Sequence, residues 1–293
     1  MLTMKNWLLY FFAVFAITVT VPFVSEKAAV ADPVPKITFF SGGEIKELSA
    51  EEFALCVLAA ESELACSFES KKALAVSARS LAVYIDFNGY KHQEFDICSD
   101  PECCLRIADP DSLSQPIYEE CKKAVEETRG EVLQFERLPA AALFTYCAGS
   151  GTRANAELSY LCAVSEPQEC DVHITEHSFS FSQIASALPE LSSCTPEQLV
   201  KNSFIAYDAS GKCSFGVFNG ICLDASSLAS SLSLPCSEFV FSFTENGAEI
   251  TCFGAGNGFG LNLCGAERMA RAGKDYDEII SFYYPNLKLN KIY

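Results

Sequence analysis

The sequence predicts an α+β protein in which helices are mixed with short, mostly antiparallel strands, preceded by one N-terminal membrane helix. Stretches with helical and strand patterns do not alternate regularly, which disfavours a doubly wound α/β sheet. Hydrophobic residues make up 49% of the 293 residues, enough for a buried core and too many for a disordered chain. An uncharged apolar run near the start, with none of similar length after it, predicts that the chain enters a membrane once.

The apolar run covers residues 7–24 and lies between Lys5 and Glu26. It is at the short end for a membrane-spanning helix, and Pro22 could end that helix early. The segment 29–31 (Ala-Val-Ala) has the small-x-small pattern of a signal-peptidase site, so cleavage after Ala31 is the alternative to a retained anchor. In both cases we expect residues from 32 onward to lie outside the cytoplasm.

The best-defined helix start in the chain is at Ser49. Glu52 follows three residues later, which is the pattern of a capping box, and we expect a helix from Ala50 to Glu63. Within that helix Glu61 falls at the edge of an apolar stripe, where burial would raise its pKa towards that of a general acid. The alternative from position alone is a solvated flank residue. Glu63 would lie about 200° around the same helix and could not face the same bond.

The other helices and strands are expected along the rest of the chain. The helices are expected at residues 70–86, 118–128, 182–188, 224–232, 263–272 and 276–282. The strands are expected within 36–48, where a glycine turn follows the first one, and at 131–135, 143–147, 173–181, 204–207, 213–217, 239–243 and 249–253. A break near residue 150 predicts two lobes, 32–150 and 151–293, with a substrate cleft between them.

The charge balance excludes one class of partner. The chain has 38 acidic and 21 basic residues, a formal net charge of −17, and its basic residues are scattered singly. It therefore offers no basic face for phosphate groups, and nucleic acid is not an expected partner.

Several short motifs follow one another in order between residues 37 and 287, at residues 52–61, 72–80, 96–104, 146–151, 256–273 and 283–285. Together they resemble the stage II sporulation protein D family of peptidoglycan lytic transglycosylases. The chain departs from the family pattern at Asn257, where the family has His, and at Asn262-Leu263, where it has Ser-Gln.

The resemblance implies roles for individual residues. Glu61 occupies the position of the catalytic acid, and six further residues are expected to contact the glycan: Lys72, Arg79, Tyr146, Ser150, Asn257 and Tyr283. A lytic transglycosylase cleaves the β-1,4 bond between N-acetylmuramic acid and N-acetylglucosamine without water. One carboxyl can act first as acid and then as base, because the muramyl 6-hydroxyl supplies the nucleophile, unlike the two-carboxylate scheme of most glycosidases.

The resemblance also implies a setting, which is peptidoglycan remodelling during engulfment in sporulation. Family members act on strands already stripped of stem peptides, so a murein amidase and a membrane scaffold are the implied partners. The alternative function is a non-catalytic murein-binding module that activates a partner amidase.

A metal site is the remaining candidate. His92, Cys98 and Cys104 are spaced six residues apart, with Cys103 adjacent, and imidazole with thiolates is a typical zinc donor set. Some family members are similar in binding zinc near the equivalent cysteines. The alternatives are a Cys98 to Cys104 disulfide or buried thiols. A zinc ion here would brace the loop, and the chemistry itself requires no cofactor.

A thiol hydrolase is an alternative enzyme class for this sequence. Cys147 would be the nucleophile and one of the three histidines the base. No local signature supports this class.

Overall fold

A computed structural model describes residues 33–89, 91–100, 103–166, 173–207 and 213–293. Within them, Val34–Ile292 form one compact unit. The predicted membrane segment at residues 7–24 and the cleavage point after Ala31 lie outside the described residues. Of the helices in the described ranges, none combines the length and the apolar character needed to cross a bilayer.

Helices and strands are mixed along the described chain, which confirms the α+β prediction. The described α-helices are α1 (Ala50–Ala60), α2 (Phe68–Asn88), α3 (Gln115–Glu127), α4 (Phe181–Ala187), α5 (Pro196–Lys201), α6 (Ala225–Ser231), α7 (Leu263–Arg271) and α8 (Tyr276–Tyr283). The strands are β1 (Lys36–Ser41), β2 (Glu44–Ser49), β3 (Ile97–Cys98), β4 (Glu131–Phe135), β5 (Leu138–Pro139), β6 (Phe144–Thr145), β7 (Ile174–Ser180), β8 (Ser203–Tyr207), β9 (Cys213–Phe218), β10 (Ile221–Asp224), β11 (Phe239–Thr244), β12 (Gly247–Phe253), β13 (Leu261–Asn262) and β14 (Lys288–Lys291).

The strands form several small sheets, with the orders β2-β1-β3, β10-β9-β8, β11-β12-β7, β13-β6 and β14-β4-β5. In the described part of the chain, β1 with β3 and β6 with β13 are the parallel pairs, and the other pairs are antiparallel. The predominance of antiparallel pairing was therefore predicted correctly. The β6–β13 pair matters most for the site, because it brings the residues after Thr145 next to the start of α7.

Helix α2 is the central element of the larger hydrophobic cluster. Its small residues, among them Ala75, Ala78 and Ala82, have no exposed surface, so α1 and α3 can pack closely against it. Gly89 ends the helix with a φ of 72°, a conformation that glycine adopts without strain. The predicted helix at 70–86 is confirmed and extends further at both ends.

Buried apolar side chains form two clusters that are separate in the sequence. One joins buried residues between Ile37 and Leu161 to others between Leu261 and Tyr284, and the second lies between Ile184 and Cys252. Residues beyond Leu261 thus pack with the N-terminal part of the described chain. The predicted lobe boundary near residue 150 stays a prediction.

Helix α1 begins where it was predicted and ends earlier. The Ser49 hydroxyl accepts a hydrogen bond from the Glu52 N–H at 3.2 Å, and the Glu52 carboxylate accepts one from the Ser49 N–H at 2.8 Å, which completes the capping box. The helix ends at Ala60, and Glu61 is its C-cap residue with φ −108° and ψ 15°. The prediction that α1 continues to Glu63 was wrong, because the chain turns after Glu61.

The carboxylate of Glu267, which is distant in the sequence, helps to hold the turn between α1 and α2. Glu267 of α7 accepts hydrogen bonds from the N–H groups of Cys66 and Ser67, at 3.1 and 2.8 Å, and from the Ser70 hydroxyl at 2.6 Å. The Ser67 side chain makes no cap of its own, so Glu267 satisfies N–H groups at the start of α2 that the helix leaves unpaired. The α1–α2 turn and the start of α7 are therefore tied together.

Candidate functional site

The side chain of Glu61 lies almost wholly out of solvent at the end of α1. It is 8% exposed, and in the described part of the chain its carboxylate has one polar partner, the Arg106 guanidinium at 3.9 Å. Burial raises the pKa of Glu61 above its ordinary value, and the Arg106 charge lowers it in part. A carboxyl group in this environment holds a proton more readily than an exposed glutamate does.

A cavity of about 360 Å³ lies beside Glu61. Two stretches of chain form its wall. The first contributes residues 59, 60, 62 and 63, and the second contributes Ser99 and residues 106–108. Glu63 is exposed and lines this cavity. The prediction that Glu63 cannot face the same bond as Glu61 assumed a helix that continues past Ala60, and it stays a prediction.

Hydrogen bonds hold the second wall of the cavity to the rest of the protein. The Ser99 N–H donates to the carbonyl of Phe40 at 3.1 Å, and the Ala108 N–H donates to the carbonyl of Cys56 in α1 at 3.2 Å. Between these two anchor points the chain makes a loop that contains Cys103, Cys104 and Arg106.

The predicted metal ligands meet where this loop packs against the chain that precedes it. One ligand atom from each of His92, Cys98, Cys103 and Cys104 lies within 4.8 Å of all the others. The Cys104 sulfur is 3.5 Å from that of Cys98, 3.8 Å from that of Cys103 and 3.3 Å from the His92 Nε2. Sulfur ligands about 2.3 Å from a tetrahedral zinc ion would lie about 3.8 Å apart, so this cluster could hold a metal. Cys98 and Cys104 are free thiols in this structure, with their sulfurs in contact, and the alternative disulfide stays a prediction.

Tyr146 is the predicted substrate-binding residue that the fold brings close to Glu61. Burial raises the pKa of Tyr146, and the charges of Cys264, Cys147, Glu61 and Glu63 raise it further. The Cys264 N–H at the start of α7 donates to the Tyr146 carbonyl at 3.3 Å. Tyr146 and the first turn of α7 therefore lie within electrostatic reach of Glu61, while the cavity beside Glu61 is lined by other residues.

Arg79 has a structural environment instead of a substrate-facing one. It has no exposed surface, and its guanidinium donates two hydrogen bonds to the Glu51 carboxylate, at 2.9 and 2.7 Å. It also donates to the carbonyls of Val125 and Glu131, at 3.0 and 3.2 Å. A fully buried guanidinium with these partners offers no surface to a ligand, so this environment does not favour the predicted glycan contact of Arg79, which stays a prediction.

Lys72 lies on the same helix, α2, and its ammonium group also has partners within the protein. Its ammonium group is 2.7 Å from the Glu69 carboxylate and 3.7 Å from that of Glu127, and it lies over the rings of Phe68 and Tyr276. The side chain is 12% exposed. Any glycan contact of Lys72 stays a prediction.

Tyr283 is buried and far from solvent access. It is 1% exposed, and its hydroxyl donates to Glu166 at 2.6 Å. The Glu166 carboxylate also accepts a hydrogen bond from Asn262 at 2.9 Å and pairs with Arg268. Tyr283 belongs to a buried network that joins α7 and α8, which does not favour a substrate contact, and the predicted contact stays a prediction.

The last two predicted binding residues are exposed. The Asn257 side chain accepts from the Phe259 N–H at 2.8 Å and donates to the Phe144 carbonyl at 3.2 Å, so it stabilises its own glycine-rich turn. Ser150 contacts Glu238 and lines a second cavity of about 490 Å³. Their binding roles stay predictions.

Sequence reasoning missed Arg106 and misplaced Glu63. Arg106 lies two residues after Cys104, so the predicted metal loop was the one signal for its position. Glu63 carried no signal, because its orientation depends on where α1 ends.

The chain is similar to one family model and to several curated relatives. Residues 41–135 match the family model described as Stage II sporulation protein. The chain is 27% identical to an uncharacterized protein of Brachyspira hyodysenteriae over 252 residues, which is 82% of this chain and 66% of that protein. It is 23% identical to the stage II sporulation protein D of Bacillus amyloliquefaciens over 86% of this chain and 77% of the relative, and to that of Bacillus subtilis over 84% and 76%.

Proposed function

We propose that this chain is a membrane-associated lytic transglycosylase of the stage II sporulation protein D family, acting on peptidoglycan outside the cytoplasm during sporulation. The family is associated with peptidoglycan degradation. The observation that carries the proposal is the buried carboxyl of Glu61, with its raised pKa, beside a cavity.

Glu61 protonates the glycosidic oxygen between N-acetylmuramic acid and N-acetylglucosamine. The raised pKa keeps a larger share of the carboxyl groups protonated near neutral pH, and this proton is what the leaving oxygen needs. The resulting carboxylate then accepts the proton of the muramyl 6-hydroxyl as that oxygen closes the 1,6-anhydro ring. The nucleophile belongs to the substrate, so the scheme requires one carboxyl.

Arg106 stabilises the Glu61 carboxylate that forms once the proton has passed to the leaving oxygen. Its guanidinium is 3.9 Å from the Glu61 carboxylate and 60% exposed, so its attraction is weakened by water and does not keep Glu61 ionised throughout. Tyr146, whose hydroxyl keeps its proton because of burial and nearby negative charge, can donate a hydrogen bond to the sugar.

A zinc ion held by His92, Cys98, Cys103 and Cys104 would have a structural role. Zinc would cross-link the loop that supplies Ser99 and residues 106–108 to the cavity wall. The glycan chemistry itself uses the carboxyl of Glu61, and no step requires the metal.

The test is digestion of purified glycan strands without stem peptides by the full-length chain, with anhydromuramyl products read by mass spectrometry. We expect Glu61→Gln to slow product formation by about 10²- to 10⁴-fold, the usual contribution of a general acid. Glu63→Gln is the matched control, because it makes the same change in the same turn and should keep most of the wild-type rate.

Three results would contradict the proposal. Equal losses in both variants would mean that two carboxyls act, as in a glycosidase that uses water. Products with ordinary reducing ends would exclude the anhydro mechanism. A wild-type protein that cleaves nothing but accelerates an added murein amidase would favour the alternative, a non-catalytic murein-binding module.

A further inference from the structure

Two cysteines that are distant in the sequence meet beside the candidate site. Cys147 follows Tyr146, and Cys264 is the second residue of α7. Their thiol groups are joined by a hydrogen bond. The backbone holds this arrangement, since the Cys264 N–H donates to the Tyr146 carbonyl at 3.3 Å and the Cys147 N–H donates to the Ala255 carbonyl at 2.9 Å.

The surroundings of Cys147 favour its thiolate. The hydrogen bond with Cys264 is the largest influence, and burial opposes it. Backbone N–H groups of His173 and Gly149, with the charge of the His173 ring, add to the stabilisation and lower the pKa of Cys147 to about 6. The thiolate is the form that attacks a disulfide sulfur.

The two sulfurs differ in their access to solvent. Cys147 is 1% exposed, whereas Cys264 is half-buried. A small disulfide molecule can therefore reach Cys264 first, with the Cys147 thiolate already in contact behind it.

We propose that Cys147 and Cys264 form a thiol–disulfide exchange site, which a low-molecular-weight disulfide such as glutathione disulfide converts into a cystine. Cys264 passes its proton to the Cys147 thiolate through their hydrogen bond, and the resulting Cys264 thiolate attacks one sulfur of glutathione disulfide. The S–S bond breaks, a mixed disulfide forms between Cys264 and glutathione, and the first glutathione leaves as a thiolate that takes the proton from Cys147. The Cys147 thiolate then attacks the Cys264 sulfur and releases the second glutathione as a thiolate, which solvent protonates. The two cysteines lose two electrons, which reduce glutathione disulfide to two glutathione molecules.

A second pair of thiols in this protein provides an internal comparison. Cys236 and Cys252 are also joined by a hydrogen bond, but they are 7% and 0% exposed. Because neither sulfur is accessible, we expect this pair to exchange more slowly with an added disulfide.

The test uses the reduced full-length chain, glutathione disulfide as oxidant, rapid alkylation of the remaining thiols, and peptide mapping by mass spectrometry. We expect a peptide linking Cys147 to Cys264 that forms at least about tenfold faster than one linking Cys236 to Cys252, and that dithiothreitol reverses. The mixed disulfide at Cys264 should precede it in the time course. None of these readouts depends on glycan cleavage, so they test thiol–disulfide exchange independently of the proposed function.

Variants separate the two roles. Cys147→Ser should leave glutathione trapped on Cys264, and Cys264→Ser should prevent modification of Cys147. Cys222→Ser removes an exposed cysteine elsewhere and should form the cross-link as the wild type does. Circular dichroism and thermal unfolding check that each variant folds, and the wild-type time course tests the proposal without any variant.

Two results would overturn the proposal. The first is a wild-type protein whose Cys264 keeps glutathione as a stable adduct with no link to Cys147. The second is exchange at Cys236 and Cys252 that is as fast as at Cys147 and Cys264.

Discussion

Replacement of Arg79 by methionine should destabilise the protein without a direct effect on glycan binding. Methionine keeps much of the aliphatic volume of the arginine side chain and removes the guanidinium, which is fully buried. The variant loses the paired hydrogen bonds to Glu51 and the bonds to the carbonyls of Val125 and Glu131 and to the Thr128 hydroxyl.

The size of this effect follows from the burial of both charges. The Glu51 side chain is 11% exposed, so its carboxylate would lose its guanidinium partner in a site with little water. Breaking a buried ion pair from one side costs about 3–5 kcal/mol. For a chain of this size each kcal/mol corresponds to about 2–4 °C, so we expect the midpoint of thermal unfolding to fall by about 10 °C.

Denaturant unfolding of the full-length chain, followed by circular dichroism, measures the loss directly. Arg129→Met is the matched control, because Arg129 is exposed and its replacement should change the free energy of unfolding by less than about 0.5 kcal/mol. The reasoning is refuted if Arg79→Met unfolds like the wild type but binds glycan strands much more weakly.

Three further changes should be measurable. Arg106→Gln removes the charge that lowers the pKa of Glu61, so the alkaline limb of the pH–rate profile should move to higher pH, and a shift to lower pH would contradict the assignment. Removal of metal by a chelator, or Cys98→Ser, should lower the thermal midpoint and the metal content found by elemental analysis, and an untreated protein without bound zinc would exclude the site. Burial raises the pKa of Glu267, but the hydrogen bonds that its carboxylate accepts, with the one from Ser70 the largest, lower this pKa more. The result is a pKa of about 2, compared with the ordinary value of 4.5. This carboxylate therefore stabilises the fold above pH 4.5 and the contribution is lost as pH falls towards 2, so Glu267→Gln should flatten the acid unfolding curve over that interval, and identical curves would refute this.

Features set by neighbours in the sequence were predictable. The start of α1 depends on Ser49 and Glu52, which are three residues apart, and the structure contains the predicted capping box. The strand at residues 131–135 was predicted with the observed limits, because its β-prone residues form one uninterrupted run. The metal cluster was also recognisable, since its four side chains lie within a short segment of the chain.

Weak local patterns led to omissions. Strand β2 carries four exposed residues and pairs along its whole length with β1, so its amino acids show little of the alternation typical of a half-buried strand. Strands β6 and β13 have two residues each, and their parallel pairing could not be inferred from either segment alone.

By itself the sequence determined the class of fold, the position of the candidate acid, the segment with the candidate metal ligands and the resemblance to a family. Tertiary structure alone decided that Arg79 and Tyr283 are buried, that α1 ends at Ala60 so that Glu63 lines the cavity, and that Cys147 meets Cys264. The physical reason is that helix starts and ligand spacing arise from contacts a few residues apart. Burial, charge pairing and the meeting of distant side chains depend instead on which elements pack together.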